Sequence, residues 1–250
     1  MGSGAYAVVK LARDRIDRHK VAVKCVDSSR LSKKEKDLIE TEVTIYQALD
    51  HPNIMRFYDF FKGPKHMYMV LEYVRGGELF DEIVKRSHYT ESKARELVHT
   101  LLTAIKHCHD KHIAHRDLKP ENILMLSRDD DSSIKIADFG FARVCHGNSL
   151  TDFCGSAYYV APEIVCHEPH GLQVDIWSIG VIAYMLLAGT PPFNHPNTSK
   201  LFAQIETGVY DYPDEVWKTV SASARDFIDH LLVLDPKKRY SAQEALAHPW

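Results

Sequence analysis

The chain holds little that would staple it together. Its 250 residues include five cysteines, Cys25, Cys108, Cys145, Cys154 and Cys166. They form neither an even set nor a CxxC pair, which argues against a disulfide framework or a cysteine zinc site and fits a reducing cytosolic or nuclear setting. Long apolar runs are missing too. The longest, 176–188, carries Ser178 and Gly180 and falls short of the roughly 20 residues a membrane-spanning helix needs, so it reads as a buried core helix. No charged-then-apolar leader precedes the first strand pattern. Charge of one sign is also lacking: 31 basic against 34 acidic residues leave a net charge of −3, which gives no global field to recruit nucleic acid or an anionic membrane. There is no internal repeat and no long low-complexity linker. What is present is a 45% apolar sequence long enough to bury a substantial core as one large domain or two closely joined lobes.

Two runs rich in valine and alanine, 5–12 and 20–27, flank a charged turn and predict a hairpin. Ser32 and Glu35 form a capping box. Leu38, Ile45 and Leu49 then recur at helical spacing until His51-Pro52 ends the run. Apolar runs 54–61 and 66–73 bracket Lys62-Gly63-Pro64-Lys65 and complete a small, mostly antiparallel sheet, after which Gly76-Gly77 marks a hinge. Beyond it the pattern turns helical. Thr90 can cap a segment whose Ala94, Leu97, Val98, Leu101, Leu102 and Ile105 form one apolar stripe. Short strands are expected at 123–126 and 134–137, joined by an acidic tip, 129–133, that lacks the remaining ligands of a calcium loop. Helices resume at Asp175, and Ser241 with Glu244 makes a second capping box.

Four motifs follow one another. Gly2-Ser3-Gly4-Ala5, running on to Val9, is a glycine-rich strand turn in which missing side chains let backbone N–H groups approach phosphates; many hairpin turns carry two glycines, so alone it decides nothing. Val21-Ala22-Val23-Lys24 sets an ammonium in a strand otherwise suited to burial, where it requires a partner. Glu42, an acidic residue on the inward face of the capped helix, invites that pairing, the alternative being a solvated carboxylate at the edge of the stripe. His115-Arg116-Asp117-Leu118-Lys119-Pro120-Glu121-Asn122 and then Asp138-Phe139-Gly140 supply hard carboxylate and amide oxygens of the kind magnesium prefers. His107, His109, His112 and His115 lie close in sequence, but their spacing straddles a helix end and a loop, which suits no standard metal site. Cys154 reads either as a redox-sensitive thiol or as a buried inert one.

In this order the motifs resemble the signature set of protein kinases, and the resemblance runs almost end to end, to His248-Pro249-Trp250. It implies an α+β, bilobal fold: a small β-rich lobe with one main helix, about 1–74, and a larger helical lobe, about 75–250. ATP and Mg2+ would be the cofactors, and the γ-phosphate would pass to serine or threonine of protein substrates, a specificity implied by Lys119-Pro120-Glu121-Asn122. By the same resemblance Asp117 orients the substrate hydroxyl and accepts its proton, Lys119 steadies the phosphoryl group, and Asn122 and Asp138 hold magnesium. Gly2, Ser3, Gly4, Ala5, Val9, Ala22, Lys24, Glu72 and Val74 would surround the nucleotide, with Lys24 paired to Glu42. Glu163 and Arg239 would form a buried ion pair, and Asp175 would brace the catalytic loop.

On the substrate side the resemblance implies that Glu78 and Glu121 read an arginine three residues before the acceptor, with Ser156 close by. Met185 stands where relatives carry a carboxylate for a second arginine, and Phe141 is of the bulky type that favours serine over threonine. Asp152 falls where relatives carry an activating phosphothreonine, and Arg116 and Arg143 match the residues that grip it. The segments 76–80, 155–163 and 244–250 look like the calmodulin-dependent and calcium-dependent kinases, so a regulatory segment or calcium sensor outside these residues is an implied partner. Compared with complete members, the chain starts inside the glycine-rich loop and lacks most of the first strand. A pseudokinase scaffold and a small-molecule phosphotransferase share part of the pattern. The first is opposed by the presence of Lys24, Glu42, Asp117, Asn122 and Asp138, the second by Ala161-Pro162-Glu163.

Overall fold

A computed structural model of the chain describes residues 7–86, 88–127 and 133–250; the expected phosphate turn 2–5 and the acidic tip 129–132 lie outside the described residues. The small lobe is an antiparallel sheet of β1 (Ala7–Arg13), β2 (Lys20–Asp27), β3 (Phe57–Lys62) and β4 (His66–Glu72) in the order β1-β2-β4-β3. β4 shows why it is a strand: Met67, Met69 and Leu71 are buried at a period of two while their neighbours are not. The register sets Lys24 opposite Val9 on one side and Met69 on the other. The strand expected from Ile54 begins only at Phe57, because Ile54 has left the sheet to bridge Ile136 and the Met55 N–H donates to the Ile136 carbonyl at 2.9 Å.

Helix α1 (Lys33–Ala48) starts on the expected capping box: Ser32 Oγ accepts from the Glu35 N–H at 3.2 Å, and the Glu35 carboxylate accepts from the Ser32 N–H at 2.7 Å. Its buried face is Glu42, Val43, Ile45 and Tyr46. Leu38 and Leu49, expected on that face, are only half-buried because the stripe tapers at both ends of the helix.

Residues 73–78 lead into the large lobe. Gly76 and Gly77 are the anchored end of this link rather than its pivot. The Gly76 N–H donates to the Met125 carbonyl at 2.9 Å, and the Met125 N–H returns a 2.9 Å bond to Gly77. A Cβ on Gly76 would overlap the Met125 carbonyl, and Gly77 has φ +91°, so each glycine answers a steric demand.

The large lobe is built on α2 (Leu79–Arg86), α3 (Glu91–Asp110) and α5 (Gln173–Ala188), with α4 (Pro162–Val165) between the last two. The predicted stripe of α3 is buried throughout, although Thr90 caps it by position only, without a side-chain hydrogen bond. α5 is buried from Val174 to Leu187 and is apolar all round, as a helix through the middle of a core must be. At Gly180 an added Cβ would come within 2.9 Å of Leu231 and Leu232, so the glycine sets how closely α8 (Ala222–Leu231) approaches α5. α6 (Thr198–Thr207), α7 (Asp214–Trp217) and α9 (Ala242–Ala247) complete the lobe, α9 opening on the predicted Ser241–Glu244 capping box. Two small ribbons, β5 (Ile113–Ala114) with β8 (Arg143–Val144) and β6 (Ile123–Met125) with β7 (Ile134–Ile136), lie on the side facing the sheet and carry the loops of the site. Among the described residues no helix is long and apolar enough to cross a membrane.

Candidate active site

Between the lobes lies a cleft of about 370 Å³. Val9, Ala22, Met55, Leu71, Leu124 and Ala137 give it apolar walls, Glu72 to Arg75 form its back edge, and Lys24, Glu42 and Asp138 are its charged end. Of the residues expected around a nucleotide, Val9, Ala22, Lys24, Glu72 and Val74 all line it; positions 2–5 lie outside the described residues.

Lys24 and Glu42 meet as anticipated: Nζ lies 2.8 Å from Oε1 and 3.1 Å from Oε2. Glu42 is buried, so the solvated alternative falls. Burial alone would discharge Lys24, but Glu42 and, at 3.5 Å, Asp138 outweigh it and hold the ammonium above its ordinary pKa. Burial pushes the Glu42 carboxyl up, and the short contact to the ammonium keeps the pair ionised. For Asp138 burial again opposes charge, yet Lys24, His115 and the Gly140 N–H together hold the carboxyl below the usual range. Its backbone sits at φ +59°, a conformation costly for a residue with a Cβ. Tyr46 helps secure it: the buried phenol oxygen accepts from the Asp138 N–H at 3.1 Å while the ring meets Phe139 edge-on. Sequence reasoning missed Tyr46, since an aromatic residue on the inner face of a helix reads simply as core.

The Asp117 carboxylate is held by side chains from several parts of the chain. Asp117 Oδ2 lies 3.0 Å from Lys119 Nζ and accepts from Asn122 Nδ2 at 3.1 Å, while Oδ1 accepts from Ser156 Oγ at 2.8 Å. Lys119 also donates to Ser156 Oγ at 2.7 Å. Asn122 spends its Nδ2 hydrogens on Asp117, which leaves its Oδ1 for another group, and the Ala137 N–H bonds to the Asn122 carbonyl at 2.8 Å, bringing Asn122 alongside the residue before Asp138. The Asn122 amide oxygen and the half-exposed carboxylate of Asp138, the latter at the charged end of the cleft, are each donors of the kind a hard divalent cation takes.

Asp175, fully buried, braces this loop as expected, accepting from the backbone N–H groups of His115 at 2.9 Å and Arg116 at 2.8 Å and from His109 at 2.9 Å. His115 is tied in by Nδ1, which accepts from the Asp117 N–H, so its Nε2 carries the proton toward the Ala137 carbonyl. Glu163 and Arg239 form the expected buried pair, bidentate at 2.8 and 3.0 Å, with the guanidinium 5.2 Å over the Trp177 ring.

On the outer side, burial first and then the carboxylates of Asp81 and Glu121 push Glu78 above its usual pKa. Glu121 Oε2 is buried and finds no hydrogen-bond partner among the described residues. This corner therefore brings the carboxylates of Glu78, Asp81 and Glu121 within electrostatic reach of one another, with Lys119 as the cation acting on Glu78. Met185 is buried and accepts from the Tyr159 hydroxyl at 3.5 Å; Phe141 is exposed.

The segment from Asp138-Phe139-Gly140 to Ala161-Pro162-Glu163, the activation segment by resemblance to the family, departs from expectation. Asp152 comes within 3.6 Å of Arg116 Nη1 and is largely exposed, but it does not bridge to Arg143. That guanidinium donates instead to the carbonyls of Ala142 at 2.6 Å and Gly140 at 3.4 Å, inside its own loop. Cys154 is buried, and burial pushes its thiol pKa up, which suppresses the thiolate a redox sensor needs.

The protein kinase domain family matches residues 1–250. Calcium/calmodulin-dependent protein kinase type 1 of Macrobrachium nipponense is 44% identical over 251 residues, covering 100% of this chain and 72% of that protein. The type 1B enzyme of Homo sapiens is 44% identical over 250 residues, covering 100% of this chain and 73% of its own length. The type 1 enzyme of Caenorhabditis elegans is likewise 44% identical, with 72% of its length covered. The charged cleft, the braced loop and these matches agree: the chain belongs to the protein kinase domain family, as a serine/threonine kinase of the calmodulin-dependent group.

Proposed function

We propose that this kinase transfers the γ-phosphate of ATP to serine, in preference to threonine, on protein segments with an arginine three residues before the acceptor, and that Asp117 is the base. The observation that carries the reading is the Asp117 carboxylate with Ser156 Oγ–H donated to Oδ1 and Lys119 Nζ beside Oδ2. A substrate hydroxyl takes a bond of the same kind, so its oxygen is oriented and its proton has an acceptor as the bond to phosphorus forms and the bond to the leaving ADP oxygen breaks. Lys119 supports the charge spread over the equatorial oxygens, and Lys24, held by Glu42, positions the other phosphates. Magnesium, when bound, neutralises phosphate oxygens, and Asn122 Oδ1 with the Asp138 carboxylate are the groups that would hold it.

Glu78 and Glu121 supply carboxylates for the substrate guanidinium. Met185 offers no charge for a second arginine, and Phe141 is the exposed bulky side chain to which we attribute serine preference. Five free cysteines suit a reducing compartment, cytoplasmic or nuclear. The names of the relatives point to calcium and calmodulin, and we extend to this kinase a regulatory segment of that kind lying outside these residues.

An oriented peptide library assayed with Mg-ATP tests the proposal together with Asp117→Asn, which should keep the fold and nucleotide binding while lowering kcat by two or more orders of magnitude. Near-normal turnover by folded Asp117→Asn would sink the base assignment. Loss-free replacement of the arginine by acidic residues would sink the specificity.

A further inference from the structure

One buried titratable side chain has no part in the chemistry above. His170, between α4 and α5, is 1% exposed and is fixed on both sides. Its backbone forms an antiparallel bridge with Leu150 of the activation segment, the two N–H groups exchanging bonds of 3.1 and 2.8 Å. Its ring lies against Arg116, whose Nη1 is 3.4 Å from His170 Nε2. Arginine can only donate, so Nε2 must present its lone pair, and the ring proton sits on Nδ1, facing the Glu168 carbonyl at 3.4 Å. The pair is therefore compatible with a neutral imidazole and not with an imidazolium.

Arg116 is the point where several elements meet. Its backbone N–H is held by Asp175, its Nε donates to the Phe141 carbonyl at 2.8 Å just after the Asp138 turn, and its Nη1 faces Asp152. Its φ of +69° leaves the residue dependent on such partners. Of the groups around the guanidinium, the Phe141 carbonyl, the Asp152 carboxylate and His170, the imidazole is the neutral side-chain acceptor and the one supplied by the segment leading into the central helix.

We propose that His170 is a positioning residue for phosphoryl transfer: as a neutral acceptor it fixes the Arg116 guanidinium, and its protonation releases Arg116 and lowers turnover. The charged groups around it do not cancel this. Arg116 opposes protonation, while Glu163 from α4, Asp152 from the activation segment and the Glu168 carbonyl favour it. Burial, the largest influence, and Arg116 prevail and keep the imidazole below its ordinary pKa. Loss of activity is then expected on the acid side, below the usual histidine range of about 6.5.

The inference rests on Asp117 as base, so Asp117→Asn belongs in the same assay. If that variant keeps its turnover, the catalytic assignment fails whatever His170 does. The test is kcat against pH, from about 5.5 to 8, for wild type, His170→Gln and His170→Leu, each corrected for folded fraction. Gln can place a carbonyl oxygen near Nε2 without titrating. It should keep kcat within about threefold at neutral pH and lose less activity than wild type on acidification. Leu, which cannot accept, should lower kcat roughly tenfold at neutral pH with little change in the KM for ATP, the effect of one lost hydrogen bond to a charged group. Superimposable acid limbs for wild type and His170→Gln overturn the proposal, as does unchanged kcat in folded His170→Leu. If His170→Leu fails to fold, the Gln comparison decides.

Discussion

Charged residues in this protein are informative where they interrupt an apolar pattern. Lys24 in a valine strand is legible as needing a partner, whereas helix spacing leaves Glu42 open between that partner and a solvated edge. It is the accompanying motifs that favour the pairing seen at 2.8 Å. Lys24→Met should leave Glu42 buried without its cation, costing about 3–5 kcal/mol unless the carboxyl takes up a proton, and should lower kcat/KM by at least tenfold. Unfolding curves and steady-state rates check both. Glu78→Gln should raise KM for an arginine-bearing peptide several-fold and leave a peptide without arginine unaffected, as measured with matched peptides. Tyr46, Lys135 and His170 were not legible. A tyrosine on an inner helix face, a lysine between two isoleucines and a histidine in a loop each have an ordinary reading, and their partners, Asp138, Glu72 and Arg116, are 92, 63 and 54 residues away. Separations of that length cannot be inferred from local spacing.

At the scale of elements, the signals that could be read were local ones. Both capping boxes formed because they need only four consecutive residues. Ser241→Ala should destabilise the large lobe by about 1 kcal/mol, seen as a small fall in Tm with kcat unchanged. The two glycines of the link misled for the opposite reason. Their sequence suggests freedom, whereas Gly76 is required by the approach of β6 and Gly77 by its positive φ. Gly76→Ala should therefore cost more than the helix-propensity scale implies, about 2 kcal/mol or more, through overlap with backbone that cannot move aside. Denaturant midpoints for the two variants side by side give the contrast.

Across the whole molecule, pH acts on opposite sides of neutrality. Asp138 and Asp175 have carboxyls held below the ordinary range, Asp175 because hydrogen bonds from His109 and the Arg116 backbone, with the nearby histidines, outweigh its burial. Their contribution is complete above the unfolded carboxylate pKa of about 4 and is lost as pH falls through the lower folded values. Lys24, raised, contributes fully below its unfolded value of about 10.4 and loses that contribution as pH climbs through the folded one. His170, held low, and the Cys154 thiol, held high, narrow the window. The first costs stability as pH falls below the unfolded histidine value of about 6.5, the second as pH rises above the unfolded thiol value of about 8.5. A plateau between those two values, mapped by urea midpoints, is the expected result. Ordering of the activation segment should depend weakly on Asp152. One exposed ion pair to Arg116, at 3.6 Å, is worth up to about 1 kcal/mol. Asp152→Asn should then lower kcat by no more than about fivefold, in protein shown by mass spectrometry to carry no phosphate. A larger loss would mean that Asp152 does the work of a phosphate despite its exposure.

The link between the lobes is tethered at both ends to one ribbon. Glu72 is held by Lys135 of β7 at 2.7 Å, and Gly76 and Gly77 are held by Met125 of β6, four residues further on. The strap from Tyr73 to Arg75, part of the back edge of the cleft, is consequently fixed to the large lobe, and on the proposed function a base lying against it would be held there too. Opening of the site is then expected at β1, which pairs only with β2, rather than at the strap. ADP escape becomes a property of sheet stiffness: weakening β1–β2 pairing should hasten it, and freeing the strap by Lys135→Met should make that edge a second, slower exit that stopped-flow release kinetics would resolve.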